Sequence, residues 1–405
     1  MNILFVHPNF PAQFVYLAQF FAKNPKNKVF FFTKKTNGNR IKDVNLAIYK
    51  PQREGTKGIH PYVHYLEDAV LDGQAVLRGL VELRDKAGFV PDVVIGHTGW
   101  GSLLYVKDLY PDVPLIGYFE WYYHAFGSDV GYWKDDVVTD NAKLRIRTQN
   151  AQHLLSLEAC DVRYTPTQWQ RGQFPAYYQQ DMHVLHEGID TEFCQPALEA
   201  KLVLPKLKLD LSEAEEIVTY VSRGFEPYRG FPQFMEAVRI LQTHRPKCHV
   251  VIVGVDRACY GALPAKDKTW KQAELEKGGL DLKRLHFTGL LARGDYRKVM
   301  QASDVHVYLT RPFVLSWSMM EAMSFGCCLV ASKTPPVEEM VKDGENGLLV
   351  NFRSAEHIAM RVDEALSDAA LRKRLGEDAR RFIVEHYSLQ DCLRRQVNMI
   401  YHAMK

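Results

Sequence analysis

The sequence lacks most of the short motifs from which a function is usually read. It has no Gly-x-Gly-x-x-Gly and no Gly-x-x-x-x-Gly-Lys-[Ser/Thr], which disfavours a standard dinucleotide fold or a P-loop. No Asp-x-Asp pair is present to hold a divalent ion on a diphosphate. The seven cysteines, at 160, 194, 248, 259, 327, 328 and 392, form neither Cys-x-x-Cys nor a His–Cys ligand cluster. An odd, scattered set predicts reduced thiols and a cytoplasmic setting. No apolar run approaches the roughly 18 residues of a membrane span. Met1 leads directly into the strand-like NILFVH, which predicts that no cleavable leader precedes the fold. Net charge is also scarce. Fifty-one Lys and Arg against 48 Asp and Glu leave +3, too weak a balance to predict a nucleic-acid partner.

What is present is alternation. A chain of 405 residues predicts two domains rather than one core. Strand-like runs at 3–6, 29–33, 92–95, 114–118, 162–165 and 183–186 are separated by helical patterns at 13–22, 66–87 and 148–158. Residues 196–215 carry two prolines and many charges and read as a linker. A second series follows at 217–221, 249–253, 285–288, 304–309, 328–331 and 348–350, with helices at 231–243 and 354–367. Such alternation predicts an α/β fold of two Rossmann-like doubly wound domains, 1–195 and 196–387, with ligands in a cleft at the carboxyl ends of the strands.

The stretch 303–326, SDVHVYLTRPFVLSWSMMEAMSFG, organises the second half. A strand runs into a turn marked by Pro312, and a helix opens at about Ser316. The first amides of such a helix form an anion site, with Ser316 as N-cap and Glu321 within reach. The plainer reading is a crossover helix whose Met319, Met320 and Met323 fill the core. Upstream, SRGFEPYRGF places Arg223 and Arg229 around a glycine-bearing turn, where two guanidinium groups could clamp a diphosphate or form surface salt bridges. In the first half, His97 ends the strand VVIGH, and Glu120 and His124 stand in the aromatic segment EWYYHAFGSDVGYW. A strand-end histidine serves equally as an acid/base group or a core imidazole; an aromatic loop serves sugars or packing. Residues 23–57 hold ten Lys and Arg against two acids, a solvated face or a contact for anionic lipid head groups.

These residues reach a family resemblance. VSRGFEPYRGFPQFMEA, HVVIVG, LHFTGLL, YRKVMQASDVHVYLT, EAMSFGCCLVAS and VKDGENGLLV resemble, in order and spacing, the donor-binding half of glycosyltransferase family 4, of GT-B fold. The first half is more divergent: HPNFPAQF stands where the family has a glycine-rich loop, and HEGID resembles the turn before its linker. The resemblance implies a retaining transferase that moves a sugar from a nucleoside-diphosphate sugar, with UDP favoured over GDP. The acceptor would be a glycan, a lipid-linked molecule or a small molecule. It implies no cofactor and no metal for the chemistry, and a final segment, 388–405, that crosses back to the first domain. Arg223 and Arg229 match the diphosphate-binding pair, Glu321 the ribose-binding glutamate and His97 the histidine at the transfer centre. Gly254, Leu290, Phe313, Leu315, Ser316 and Trp317 fall on the donor side, and Phe10, Gln13, Glu120 and His124 on the acceptor side. One departure is sharp. Phe313 stands where the family carries the first glutamate of Glu-x7-Glu, which contacts donor hydroxyls. Two other readings stay open, a sugar-nucleotide epimerase of the same fold and a non-catalytic sugar-nucleotide binder.

Overall fold

A computed structural model describes residues 1–36, 38–264 and 267–405. The chain forms two compact units, Met1–Gly188 with Gln390–Lys405, and Ile189–Leu389. The boundary thus lies at Gly188, not at residue 195, and the return to the first unit begins at Gln390.

The first unit is built on a seven-stranded parallel sheet. Its strands are β1 (Asn2–Val6), β2 (Lys28–Thr33), β3 (Val44–Ile48), β4 (Val93–His97), β5 (Leu115–Tyr118), β6 (Val162–Thr165) and β7 (Met182–Val184), in the order β3-β2-β1-β4-β5-β6-β7. Central strands such as NILFV and VVIGH are apolar on both faces because helices cover both. Ile3 and Phe5 join a core with the helix Val15–Ala22 and with Val397, Met399 and Ile400 of the last helix, Leu389–Ala403. Leu4 and Val6 point the other way, into a core with Ala75, Val76 and Leu80 of the helix His64–Ala87. β3 was not anticipated. It is an edge strand with mixed burial inside the basic stretch, so its apolar signal is weak.

Strand order reverses between β1 and β4. Ile3 pairs with Val93 and Val6 with Gly96, so the residues that follow, His7 and His97, emerge side by side. Such a switch point is where doubly wound sheets leave a crevice.

The second unit repeats the plan with six parallel strands: β10 (Glu216–Gly224), β11 (Cys248–Val255), β12 (Leu285–Gly289), β13 (Val305–Tyr308), β14 (Cys328–Ser332) and β15 (Leu348–Val350). Their order is β12-β11-β10-β13-β14-β15. The segment read as a linker is not one. Leu202–Leu204 (β8) and Leu209–Leu211 (β9) form an antiparallel hairpin that buries Leu202, Leu204 and Leu211 against Ile217, Val251, Val253 and Val299. Its switch point lies between β10 and β13, where Tyr220 pairs with Val307. Met319, Met320 and Met323 are fully buried, so the core reading of those three was right.

The helix read at 148–158 is two, Asp140–Gln149 and Ala151–Ala159, which meet at Asn150. The Asn150 side chain accepts from Tyr123 N (2.9 Å) and donates to Tyr123 O (2.8 Å), fixing the aromatic segment to that corner.

Candidate active site

In the second unit the switch point brings together the ends of β10 and β13. Chain leaving β10 turns through Pro227–Arg229, and Gly230, at φ 65°, opens the helix Phe231–His244. A Cβ at Gly230 would also press on Leu309, at 2.6 Å, so glycine is required twice over. This turn directs Arg229 inward. Its Nη1 donates to Tyr308 Oη (3.1 Å) and Thr310 Oγ1 (2.7 Å), and its Nη2 to Val314 O (3.0 Å). Tyr308 Oη also accepts from Ser316 N at 2.8 Å. A phenol that accepts from a guanidinium and an amide keeps its one O–H to donate, polarised by the neighbouring cation.

The helix start is as anticipated in outline. Ser316 caps the helix Trp317–Ser324, accepting from Ser318 N. The amides are less available than their position suggests: Ser316 N is on Tyr308, Ser318 N on the cap, and Met319 N on Ser316 O (3.2 Å). Tyr308 Oη sits where an anionic oxygen between amide and guanidinium would sit. Leu315 packs on the methionine-rich core, and Trp317 is 38 % exposed.

The expected arginine pair is unequal. Arg229 is buried and tied down, whereas Arg223 is exposed at the end of β10. Glu321 accepts from Tyr296 Oη at 2.8 Å. Burial raises its pKa, against the lowering influence of that bond and of Arg293. Gly254 closes β11, and a Cβ there would lie 2.0 Å from Ser222 O, so only glycine permits the two strand ends to meet. Leu290, just past β12, is 76 % exposed.

Phe313 lies at the edge of an aromatic cluster. Its ring meets Tyr228 edge-on (5.7 Å, 88°) and Tyr260 (5.3 Å, 64°), and Arg229 Cζ lies 5.5 Å from the Tyr260 ring centre. Tyr260 is held by Glu226, which is wholly buried. Glu226 Oε2 accepts from the amides of Cys259 (3.0 Å), Tyr260 (2.8 Å) and Gly261 (2.8 Å). Sequence reasoning missed Glu226, Tyr260 and Tyr308. Glu226 precedes a proline at a turn, which is the one signal that could have found it.

In the first unit the switch point gathers His7, His97 and Trp100. His97 Nδ1 accepts from Gly99 N (3.0 Å), which leaves the proton of the neutral ring on Nε2. That nitrogen lies 3.4 Å from Glu120 Oε2, at ion-pair distance but out of line for a hydrogen bond. Glu120 Oε1 accepts from Gln13 Nε2 at 3.0 Å. His7 Nδ1 accepts from Asn9 N (2.9 Å), and its pKa is held well below the usual value, first by burial and then by the charge of His97. Trp100 packs on both imidazoles, at 5.2 Å from His7 and 4.6 Å from His97. His97, Glu120 and Gln13 therefore belong together.

Phe10 and His124 do not join them. The Phe10 ring is core, edge-on to Phe31 at 4.8 Å, and so is closed to an acceptor. His124 Nε2 is committed to Gln173 O at 2.6 Å. His7, quoted only as part of a divergent first loop, was the missed member.

Two doubly wound parallel-sheet units, each with its polar residues at the switch point, define the GT-B class of protein. Residues 25–194 match the model of the glycosyl transferase family 4 group, and residues 206–382 that of glycosyl transferases group 1. The chain belongs to family 4 of the glycosyltransferases. It is 26% identical over 213 residues to an uncharacterized glycosyltransferase of Methanocaldococcus jannaschii, covering 51% of this chain and 49% of that protein. It is 25% identical over 296 residues to D-inositol 3-phosphate glycosyltransferase of Corynebacterium glutamicum, covering 72% and 65%. The chain thus spans about half the length of the first relative and under two thirds of the second. Among solved structures, Anabaena HepE in complex with UDP-glucose superposes with a TM-score of 0.70 at 17% identity, covering 99% of this chain and 100% of that one. At that identity the likeness is one of fold.

Proposed function

We propose that this chain is a retaining glycosyltransferase, moving a sugar from a nucleoside-diphosphate sugar, UDP before GDP, to a glycan, lipid-linked or small-molecule acceptor. The observation that carries the reading is the chain Arg229–Tyr308–Ser316 at the second unit's switch point. It fixes a permanent cation and a polarised phenol beside a capped helix start, a composition suited to charge growing on a leaving diphosphate. Glu321, next on that helix, suits ribose hydroxyls, and HepE, of the same fold, is described with UDP-glucose bound. In the first unit His97, its tautomer set by Gly99 and its Nε2 facing Glu120, suits a hydroxyl of the reacting sugar. Arg and phenol supply the neutralisation, and among the described residues no group of three or more His, Cys, Asp or Glu could hold a metal. A metal-independent reaction is part of this proposal, with Arg229 and the Tyr308 phenol as the neutralising groups. Among the described residues no helix is long and apolar enough to cross a membrane. Contact with anionic lipid would fall to exposed members of the basic stretch such as Lys23, Lys26 and Lys42, since Lys34 and Arg53 pair with Asp72 and Glu67.

Calorimetry with UDP and GDP tests the reading. Arg229→Ala, if folded, should weaken binding by about 1.5–3 kcal/mol, the scale of a bond to a charged group. Unchanged affinity for both nucleotides would remove Arg229 from the site. Release of nucleoside diphosphate from a donor panel, persisting in excess chelator, separates transferase from binder, a reading that Phe313 alone favours. Abolition by chelator with rescue by magnesium or manganese would refute metal independence.

A further inference from the structure

A cavity of about 600 Å³ opens in the first unit beside the turn Thr98–Trp100, at the start of the helix His64–Ala87. Its wall is preformed. Gly101, at φ 74°, lets the turn lie against Ala69, where a Cβ would come within 2.4 Å of the Ala69 Cβ. Gly73 in turn allows Gly101 O to approach, a Cβ there being 2.9 Å away. We propose that this cavity is a saccharide site, the seat of the acceptor. This deepens the transferase reading and rests on it.

The chemistry of the lining decides the ligand class. Both cations at the cavity are already neutralised: Lys34 Nζ reaches the two oxygens of Asp72 (2.7 and 2.9 Å), and Arg53 pairs with Glu67 at 2.8 Å. A phosphate or carboxylate ligand would have to break these pairs. What is left over is accepting capacity. Gln152 is 5 % exposed and lines the cavity. Its Nε2 is fixed on Gly99 O (3.0 Å), which assigns the other atom as oxygen, and that Oε1 is buried with no partner among the described residues. Asp68 adds an exposed carboxylate at the rim. Acceptor atoms of this kind call for a ligand rich in O–H donors.

Two aromatic faces, Tyr65 (49 % exposed) and Trp100 (41 % exposed), also line the cavity and suit the C–H face of a pyranose. Hydroxyl donors together with an apolar face describe a neutral saccharide, and the volume is that of an ordinary small-ligand pocket. Trp100 joins the cavity to the chemistry, since its ring also lies 4.6 Å from His97.

The test is saturation-transfer NMR on the full chain. The probes are methyl α-D-glucopyranoside, methyl α-D-mannopyranoside, methyl α-D-galactopyranoside, maltose, inorganic phosphate and ethanolamine. At least one neutral saccharide should bind without nucleotide, about tenfold more weakly to Tyr65→Ala and to Asp68→Ala, while UDP affinity by calorimetry stays at the wild-type value. If no saccharide binds, if binding ignores both substitutions, or if only phosphate or ethanolamine binds, the proposal is overturned. Saccharide binding with no nucleotide binding would instead sustain this site and refute the transferase reading.

Discussion

Glu226 is the residue whose removal would separate support of the proposed donor site from contact with it. Its carboxylate is wholly buried, and one oxygen collects three successive amides, those of Cys259, Tyr260 and Gly261. Converging N–H groups of this kind form an anion-holding nest, filled here by the protein's own side chain. The consequence is the position of Tyr260, against Phe313 and 5.5 Å from Arg229. Each bond to a charged acceptor contributes about 1.5–3 kcal/mol in isolation. Three that share one oxygen do not add, and the freed amides lie in a half-exposed stretch that water can reach. Glu226→Ala should therefore cost about 2–3 kcal/mol of stability. Glu226→Gln keeps one acceptor oxygen and should cost about 1 kcal/mol.

The effect on binding follows separately. Without the nest Tyr260 no longer covers Arg229, and a cation–π contact of about 1 kcal/mol is lost, roughly fivefold in affinity for UDP. Tyr260→Ala should reproduce that fivefold loss with a smaller effect on stability. Urea unfolding and calorimetry on the three variants measure both quantities. A Glu226→Ala protein with wild-type urea midpoint and wild-type UDP affinity would refute the reasoning.

Phe313→Glu places a carboxylate among Tyr228, Tyr260 and Arg229; a folded variant should shift donor preference toward fully hydroxylated hexoses, and an unchanged ranking across a donor panel counts against a sugar-facing role. The His153 imidazole, buried and with neither nitrogen hydrogen-bonded among the described residues, is pushed down to about 4 by burial and then by the charge of His97. Between about 6.5 and 4 the unfolded chain binds the proton and the folded one does not, so stability is full above that window and falls as pH drops through it, by about 3 kcal/mol in all. His153→Phe should flatten the decline in urea midpoint from pH 7 to pH 5, and an undiminished decline would show that other groups carry it.

Most of both sheets was legible because their strands are buried on two faces and read as continuous apolar runs. The exceptions share a physical cause. β3 is an edge strand among lysines, and the β8–β9 hairpin alternates its leucines with charge around Pro205, so neither presents such a run. Candidate residues were legible where local geometry imposes a residue type in a fixed frame: Arg229 at the turn before Gly230, Ser316 at a helix cap and His97 at a strand end. Their partners were not. Tyr308 reads as one more residue within the strand at 304–309, and only the pairing of β10 with β13 carries its hydroxyl to Arg229, 79 positions away in sequence. Availability was illegible too: Ser316 N looks free at a helix start but is taken by Tyr308, and Phe10 looks exposed in a loop but is core.

The departure at Phe313 gains meaning from its surroundings. A glutamate at that position in the resemblance contacts donor hydroxyls directly. Here the ring stands edge-on to Tyr228 and Tyr260, and the nearby carboxylate, Glu226, is wholly buried, with Oε2 on three amides and Oε1 without a hydrogen-bond partner among the described residues. The face that this corner would offer a sugar, if it faces the donor, is therefore aromatic. Phenyl and phenol rings can cover a C–H face but cannot accept several hydroxyl hydrogens, and a hydroxyl buried against them would lose its partner at about 1–3 kcal/mol. Discrimination between donors at this corner would then rest on which hydroxyls are absent or turned away, with Tyr260 set in place by Glu226. The three substitutions probe one arrangement from three sides: Phe313→Glu changes its chemistry, Tyr260→Ala its shape, and Glu226→Ala its rigidity. If the corner faces the donor, all three should alter the donor panel. If it is packing alone, only stability should move.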